Sequence, residues 1–250
     1  MMLACMTAGA TLIGMARPQP TQQPPPVQKL RLRYAKRGTA RFASHRDFSR
    51  ALERALRRAK VPMAYSSGFS PHPRISYAGA APTGTGSEAE YLELGLAEHC
   101  DPGELADALT RALPEGFPIL RAVEASGGPL TERLAASEWT IELPSVAADA
   151  LPRLAGLLWD AEMVEVSRLT KKGERRFDAR QAVVKVWVAQ DALHVVLRHT
   201  EPLVRPDDVF AALQRLAPQE MAAAGPPRAT RLRQGPLVVD TVGDPFEEST

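Results

Sequence analysis

Residues 41–91 read RFASHRDFSRALERALRRAKVPMAYSSGFSPHPRISYAGAAPTGTGSEAEY, and the rest of the chain is organised around them. Ser44 is a good helix N-cap, and Asp47, three residues on, stands where a capping-box acid stands. A helix is therefore expected over 45–60, closed by Pro62, which disfavours helical geometry at Val61. At about 100° per residue, Phe48, Leu52, Ala55 and Ala59 fall within about 60° of one another and form the inner face. Arg46, Arg50, Arg54, Arg57 and Arg58 gather within about 120° on the opposite side, with only Glu53 near them. A charge run is ordinarily a solvated face. This one carries a single sign and is built of arginine, whose planar fork suits bidentate phosphate contacts.

The segment after the helix, Ser66-Ser67-Gly68-Phe69-Ser70-Pro71-His72-Pro73-Arg74, is excluded from helix by its glycine, prolines and serines. It reads either as a cradle for a phosphate or small polar ligand, or as a rigid connection whose serines satisfy backbone groups. Ser66, Ser67, Ser70 and Arg74 are its candidate anion contacts. The Gly-rich turn over 82–87 is a permissive connection and not a nucleotide fingerprint. No GxGxxG follows a strand, and no GxxxxGK[ST] occurs.

Around this stretch the periodicity gives an ordered series. Leu30, Leu32 and Tyr34 alternate with Lys29, Arg31 and Arg33, a strand with one buried and one basic face. Strand pieces are expected at 63–65 and 74–77, a strand over 91–97, a helix over 102–113 capped by Asp101 with Pro102 at its first position, and a strand over 117–124. Ser126-Gly127-Gly128-Pro129 is the best boundary. Beyond it strands are expected over 138–143, 163–169, 177–188, 193–199 and 229–233, with helices over 146–161 and from Arg205 to about Leu216. Asp207 and Asp208 favour the start of that last helix. The expected fold is α+β, two ferredoxin-like (βαββαβ) domains in tandem. The divisions are a disordered Pro/Gln-rich leader (1–28), a first domain (29–127), a linker (128–137), a second domain (138–237) and an acidic tail (238–250).

Composition places the chain among soluble globular proteins, with 44% hydrophobic and 24% charged residues in 250. The net charge of +2 conceals an asymmetry: residues 29–80 carry 13 Lys and Arg against 2 Asp and Glu, residues 81–250 carry 17 against 27. A basic segment of this kind points to a polyanionic partner, most often nucleic acid. Two cysteines, Cys5 and Cys100, make no disulfide framework and suit a reducing cytoplasm. The first 16 residues lack the basic start of a signal peptide and are too short to span a membrane. Met15, ahead of the Pro/Gln-rich stretch, is a second possible start.

The run SHRDFSRALERALRRAKVPMAYSSGFSPHPRISYAGAAPTGTGSEAEYLEL, with the later TKKGERRFDAR, LRHT and VRPDDVFAAL, resembles the bacterial radical SAM-linked (radical SAM-associated) protein family, a domain of unknown function. The resemblance covers roughly residues 28–237. It implies a partnership with a radical SAM enzyme, since the domain occurs either fused behind such an enzyme or as a separate small protein. The chain has no CxxxCxxC motif and matches the separate form.

Candidate chemistry is sparse. His45 and His72 lie in the basic stretch and are the pair a metal-independent ribonuclease would use as base and acid; each also reads as a structural residue. Glu88 and Glu90 could ligate a metal or pair with Arg74, and pairing is the favoured reading. His99 and His194 are expected at the surface, and His199 in a structural role. A second basic cluster, Lys171, Lys172, Arg175, Arg176 and Arg180 with Arg168, reads as a protected hairpin edge or an extension of the polyanion surface. No metal site or cofactor is expected. Three readings stand: a non-enzymatic accessory of a radical SAM system that binds RNA or another polyanion, a metal-independent endoribonuclease, and a purely protein-binding partner of a radical SAM enzyme.

Overall fold

The capping box at Ser44 and Asp47 does start helix α1 (His45–Arg58) in the computed structural model, which describes residues 22–170 and 173–247. The Ser44 hydroxyl oxygen accepts from the Asp47 N–H at 3.2 Å, and the Ser44 N–H donates to the Asp47 carboxylate at 3.1 Å. The helix stops two residues short of the expected end, because Lys60 takes a left-handed φ of 55° ahead of Pro62. Before it runs β1 (Gln28–Lys36); after it come β2 (Ile75–Ala78), β3 (Gly86–Leu96), α2 (Pro102–Ala112) and β4 (Ile119–Glu124). Asp101 caps α2 by accepting from the Glu104 N–H at 2.9 Å.

The second half supplies β5 (Ala136–Glu142), α3 (Leu151–Asp160), β6 (Glu165–Thr170), β7 (Gly173–Asp178), β8 (Val183–Ala189), β9 (Ala192–Arg198), α4 (Pro206–Leu216) and β10 (Arg228–Gly235). The short strands β11 (Leu237–Val238) and β12 (Thr241–Val242) follow. The fold is mixed α+β, with one eight-stranded sheet and four α-helices among the described residues. Its strand order is β4-β1-β3-β10-β5-β9-β8, with β2 on the same edge of β3 as β10. The length of β3 allows this: Gly86 and Ser87 pair in parallel with Thr230 and Arg231, while residues 91–94 pair with β2. On its other side β10 runs antiparallel to β5. The strand closest to the C-terminus of the sheet thus joins the two halves.

Two apolar clusters lie under the helices. One packs Phe48, Leu52, Ala55 and Leu56 of α1 with Leu105 and Leu109 of α2 on Leu30, Leu32, Leu92, Leu94 and Leu96. The other packs Leu151, Leu154 and Leu158 of α3 with Val209 and Leu213 of α4 on Ile141, Leu193, Val195 and Leu197. Burying a single such side chain stabilises by about 1.5–3 kcal/mol.

Several elements differ from the sequence expectation. The 63–65 piece makes only isolated pairings, Met63 with Leu96 and Tyr65 with Pro73. The expected strand over 163–169 does not enter the main sheet; among the described residues β6 pairs only with β7, as a separate hairpin. The expected strand over 177–188 is two strands. Asp178 breaks it, because its carboxylate accepts from the N–H groups of Val164 and Arg180, both at 2.9 Å, and a 3-10 turn over Arg180–Ala182 follows. Helix α3 begins at Leu151, after a separate 3-10 turn, with Pro152 in its first turn.

The basic face of β1 is not open. Arg31 is buried; it donates to the carbonyls of Ser126 and Gly128 at 2.7 and 2.6 Å and pairs with Glu93 at 3.2 Å. The boundary expected at 126–129 is therefore pinned to the first strand. Within the stretch read as a linker, Leu130–Arg133 forms a 3-10 turn and β5 has already begun at Ala136. The stretch read as a tail packs too: Phe246 meets Tyr91 edge-on at 5.4 Å, and Asp244 pairs with Arg121 at 2.6 Å. Of the leader, residues 1–21, with Met15 and Cys5, lie outside the described residues. Gln28 belongs to β1, and the Val27 N–H already bonds the Leu96 carbonyl at 2.9 Å. No described helix is long and apolar enough to cross a membrane.

Candidate polyanion interface

Helix α1 buries Phe48, Ala51, Leu52, Ala55 and Leu56, which turns its opposite side to solvent. Ala59, expected with them, is half-buried. Arg46, Arg50, Arg54, Arg57 and Arg58 are all exposed. None of the five forms an ion pair among the described residues, and Arg58 alone has a hydrogen bond, to the Ala112 carbonyl at 3.3 Å. Hydrogen bonds from the Ser44 hydroxyl and backbone hold the Asp47 carboxyl below its usual range, and Arg50 and Arg46 add to the effect. That carboxylate is already committed to the cap.

Most other basic side chains of the first half are engaged. Arg37 forms a forked pair with Glu88 at 2.7 and 2.6 Å. Arg33 donates to the Glu88 carbonyl at 2.7 Å, and Lys36 to the Pro82 carbonyl at 3.3 Å. Arg41 binds the Gly84 carbonyl at 2.9 Å and steadies the Gly-rich turn. Arg74 donates to the Tyr65 carbonyl at 3.0 Å, so the pairing expected between it and Glu88 or Glu90 is not formed. Glu88 takes Arg37, and Glu90 takes Arg231, a strand residue from the far end of the chain.

The serine loop is closed on itself. The Ser66 N–H donates to the His72 carbonyl at 2.9 Å, and the His72 N–H donates back to the Ser66 hydroxyl oxygen at 3.0 Å. The Ser67 hydroxyl oxygen accepts from the Gln23 N–H at 2.9 Å. Those serines fix the loop's shape, while Ser70 stands exposed near the tip beside Phe69, which is 73% exposed. The ring of His72 is exposed on the same loop. His45 packs edge-on against Tyr77 at 4.6 Å, and burial raises the Tyr77 hydroxyl above its usual pKa. Among the described residues no hydrogen bond or ring contact joins His45 to His72.

In the second basic cluster Arg175 pairs with Glu201 at 3.2 Å, and Arg176 lies 3.7 Å from both Glu165 and Glu174. Arg180 donates to the carbonyls of Trp159 and Val183. Arg168 pairs with the buried Asp208 and ties the β6–β7 hairpin to α4. Lys171 and Lys172 lie outside the described residues. Among the described residues no group of three or more His, Cys, Asp and Glu is placed to hold a metal ion.

Sequence reasoning missed a polar cluster at the joint of the two halves. Arg231 and Glu90 form a buried pair, with side chains 5% and 3% exposed. The Arg231 guanidinium lies 5.4 Å from the Trp139 ring centre, and the second Glu90 oxygen accepts from the Ala81 N–H at 3.1 Å. Beside them the Nδ1–H of His199 donates to the Leu134 carbonyl at 2.7 Å, which leaves Nε2 to accept from the Ser137 hydroxyl, also at 2.7 Å. Burial lowers the His199 pKa. His194, expected at the surface, is buried in β9 and stacked on Trp187 at 5.2 Å. Nothing in the local periodicity distinguishes these residues, since each takes its partner from a distant strand.

A comparison with curated proteins found no match. The model of one family, described as an uncharacterized protein conserved in bacteria (DUF2344), matches residues 29–206, from the first strand through both basic clusters to the start of α4. The chain belongs to that family.

Proposed function

We propose that this chain is a non-enzymatic accessory protein that binds RNA through the outward face of α1 and the adjoining serine loop, in the service of a radical SAM enzyme. One observation carries the binding reading. Arg46, Arg50, Arg54 and Arg57 are exposed and without ion pairs on one helix face, in a protein that commits many of its other basic side chains to internal partners. Phe69, exposed on the neighbouring loop, is a surface on which an unpaired base can stack. The radical SAM partnership rests on the sequence resemblance alone.

The architecture in this reading is two ferredoxin-like units fused edge to edge. Support comes from the strand orders: β4-β1-β3-β2 in the first half, and β10-β5-β9-β8 in the second with the β6–β7 hairpin as an insertion.

The test is fluorescence anisotropy with a labelled single-stranded RNA at several salt concentrations. Each phosphate neutralised on a single strand contributes about −0.7 to the log–log slope of affinity against salt. Replacing Arg50, Arg54 and Arg57 together by Gln flattens the slope by about 2 and weakens binding across sequences alike. A folded triple variant with unchanged affinity and slope would show the arginines to be a solvated face. Purification of the tagged protein from nuclease-treated lysate tests the partnership, which fails if no radical SAM enzyme accompanies it.

A further inference from the structure

Where the loop after β2 meets the second half, there is a pocket of about 290 Å³. It is lined by Gly79 and Ala80 of that loop, Ser137 and Trp139 of β5, Leu197, and Gln234 of β10, together with the segment Leu203–Arg205. Gln234 is 1% exposed, and among the described residues neither its Oε1 nor its Nε2 has a hydrogen-bond partner. Leaving a buried polar group unpaired is costly, and native structures seldom do so without a reason. The loop is shaped around this amide. Gly79 has φ +59°, and a Cβ there would lie 1.9 Å from Gln234 Nε2. The adjacent polar groups are satisfied and uncharged or neutralised: Ser137 and His199 hold each other, and Arg231 is paired with Glu90.

We infer that this pocket binds a nucleobase, with the ring between apolar walls and one edge on the Gln234 amide. An amide presents a donor and an acceptor side by side, the pattern with which Gln and Asn read bases. Size agrees: a cavity of about 150 Å³ holds a benzene ring, so the volume here suits a substituted heterocycle. The neutral interior disfavours a ligand whose charge would be buried. Arg205 lines the pocket and is exposed, so a sugar or phosphate that projects to solvent would meet a cation. The pocket shares no residue with the arginine face of α1, so this inference stands apart from RNA binding there.

The base can belong to a free nucleoside or to an RNA strand. The experiment is equilibrium dialysis of the full chain against each of the four radiolabelled ribonucleosides at up to millimolar concentration, with RNA anisotropy in parallel. The variant is Gln234→Met, which keeps the length of the side chain and removes both amide groups. Saturable one-to-one binding of at least one nucleoside, weakened about tenfold or more in Gln234→Met, establishes a nucleoside site. RNA binding weakened to that degree by the same change, with no nucleoside bound, establishes a base within RNA. Gly79→Ala, which pushes the amide aside, reproduces either loss. Circular dichroism verifies that both variants are folded. The Arg50, Arg54 and Arg57 triple variant retains nucleoside binding, which separates failure of the helix reading from failure of this one. Unchanged binding of nucleosides and RNA in a folded Gln234→Met protein, or no nucleoside binding together with unaltered RNA binding, overturns the proposal.

Discussion

Replacing Glu90 by Ala removes the charge partner of Arg231. Both side chains are at most 5% exposed. The loss strands a guanidinium left with a 3.4 Å contact to the Ser87 hydroxyl and the face of Trp139, and it also frees the Ala81 N–H. Breaking a buried pair from one side costs about 3–5 kcal/mol. That is a large share of the roughly 5–15 kcal/mol by which domains are stable. At about 2–4 °C per kcal/mol for a chain of this size, Tm falls by about 6–20 °C. The double replacement Glu90→Leu with Arg231→Met removes both charges and recovers most of the loss, because apolar groups of similar volume replace buried pairs at little cost. Urea denaturation followed by circular dichroism, with the two single variants and the double, measures the coupling. Glu90→Ala within about 0.5 kcal/mol of the parent, or a double variant no better than the worse single one, refutes the account of this pair as the joint of the two halves.

The unpaired amide makes a separate prediction for the ligand-free protein: Gln234→Met raises stability by about 1–3 kcal/mol, read as a higher Tm by differential scanning fluorimetry, and a lower Tm would mean that the amide is satisfied. The His199 pKa is lowered by burial, so between its folded value and the unfolded value of about 6.5 the unfolded chain binds more protons. Stability is therefore lost as pH falls from 7 through 6.5 toward the folded value. His199→Gln flattens this part of the Tm–pH profile, and an equally steep profile in the variant assigns the dependence to other groups.

The parts of the fold legible in the sequence were those decided within a few residues. Ser44 with Asp47 and Asp101 with Pro102 marked their helices because caps act over three positions. The inner face of α1 followed from helical spacing, as did the exposure of its arginines. Long-range partners were not legible. Alternation placed Arg31 on an open face, but the chain folds Ser126 and Gly128 over it, and no periodicity encodes a loop carbonyl arriving from 95 residues away. Residues 177–188 kept a strand-like composition through a break made by one side chain, Asp178, capturing two N–H groups. The pocket was the least legible. Ser137, Trp139, His199 and Gln234 lie on three segments, and Gln234 in a strand looks like any solvent-facing polar residue until its burial is known.

The position of β10 between β3 and β5 also sets an order of events during synthesis. The edge of β3 is complete roughly 130 residues before β10 begins, an interval of about 7–26 s at 5–20 residues per second. Until then both β3 and β5 present open edges, the kind of surface that pairs with other chains. Glu90 waits equally long for its arginine. A nascent chain stalled before Arg228 would have all four helices and still lack the strand that makes one sheet of two, and would be a natural substrate for chaperones or proteases.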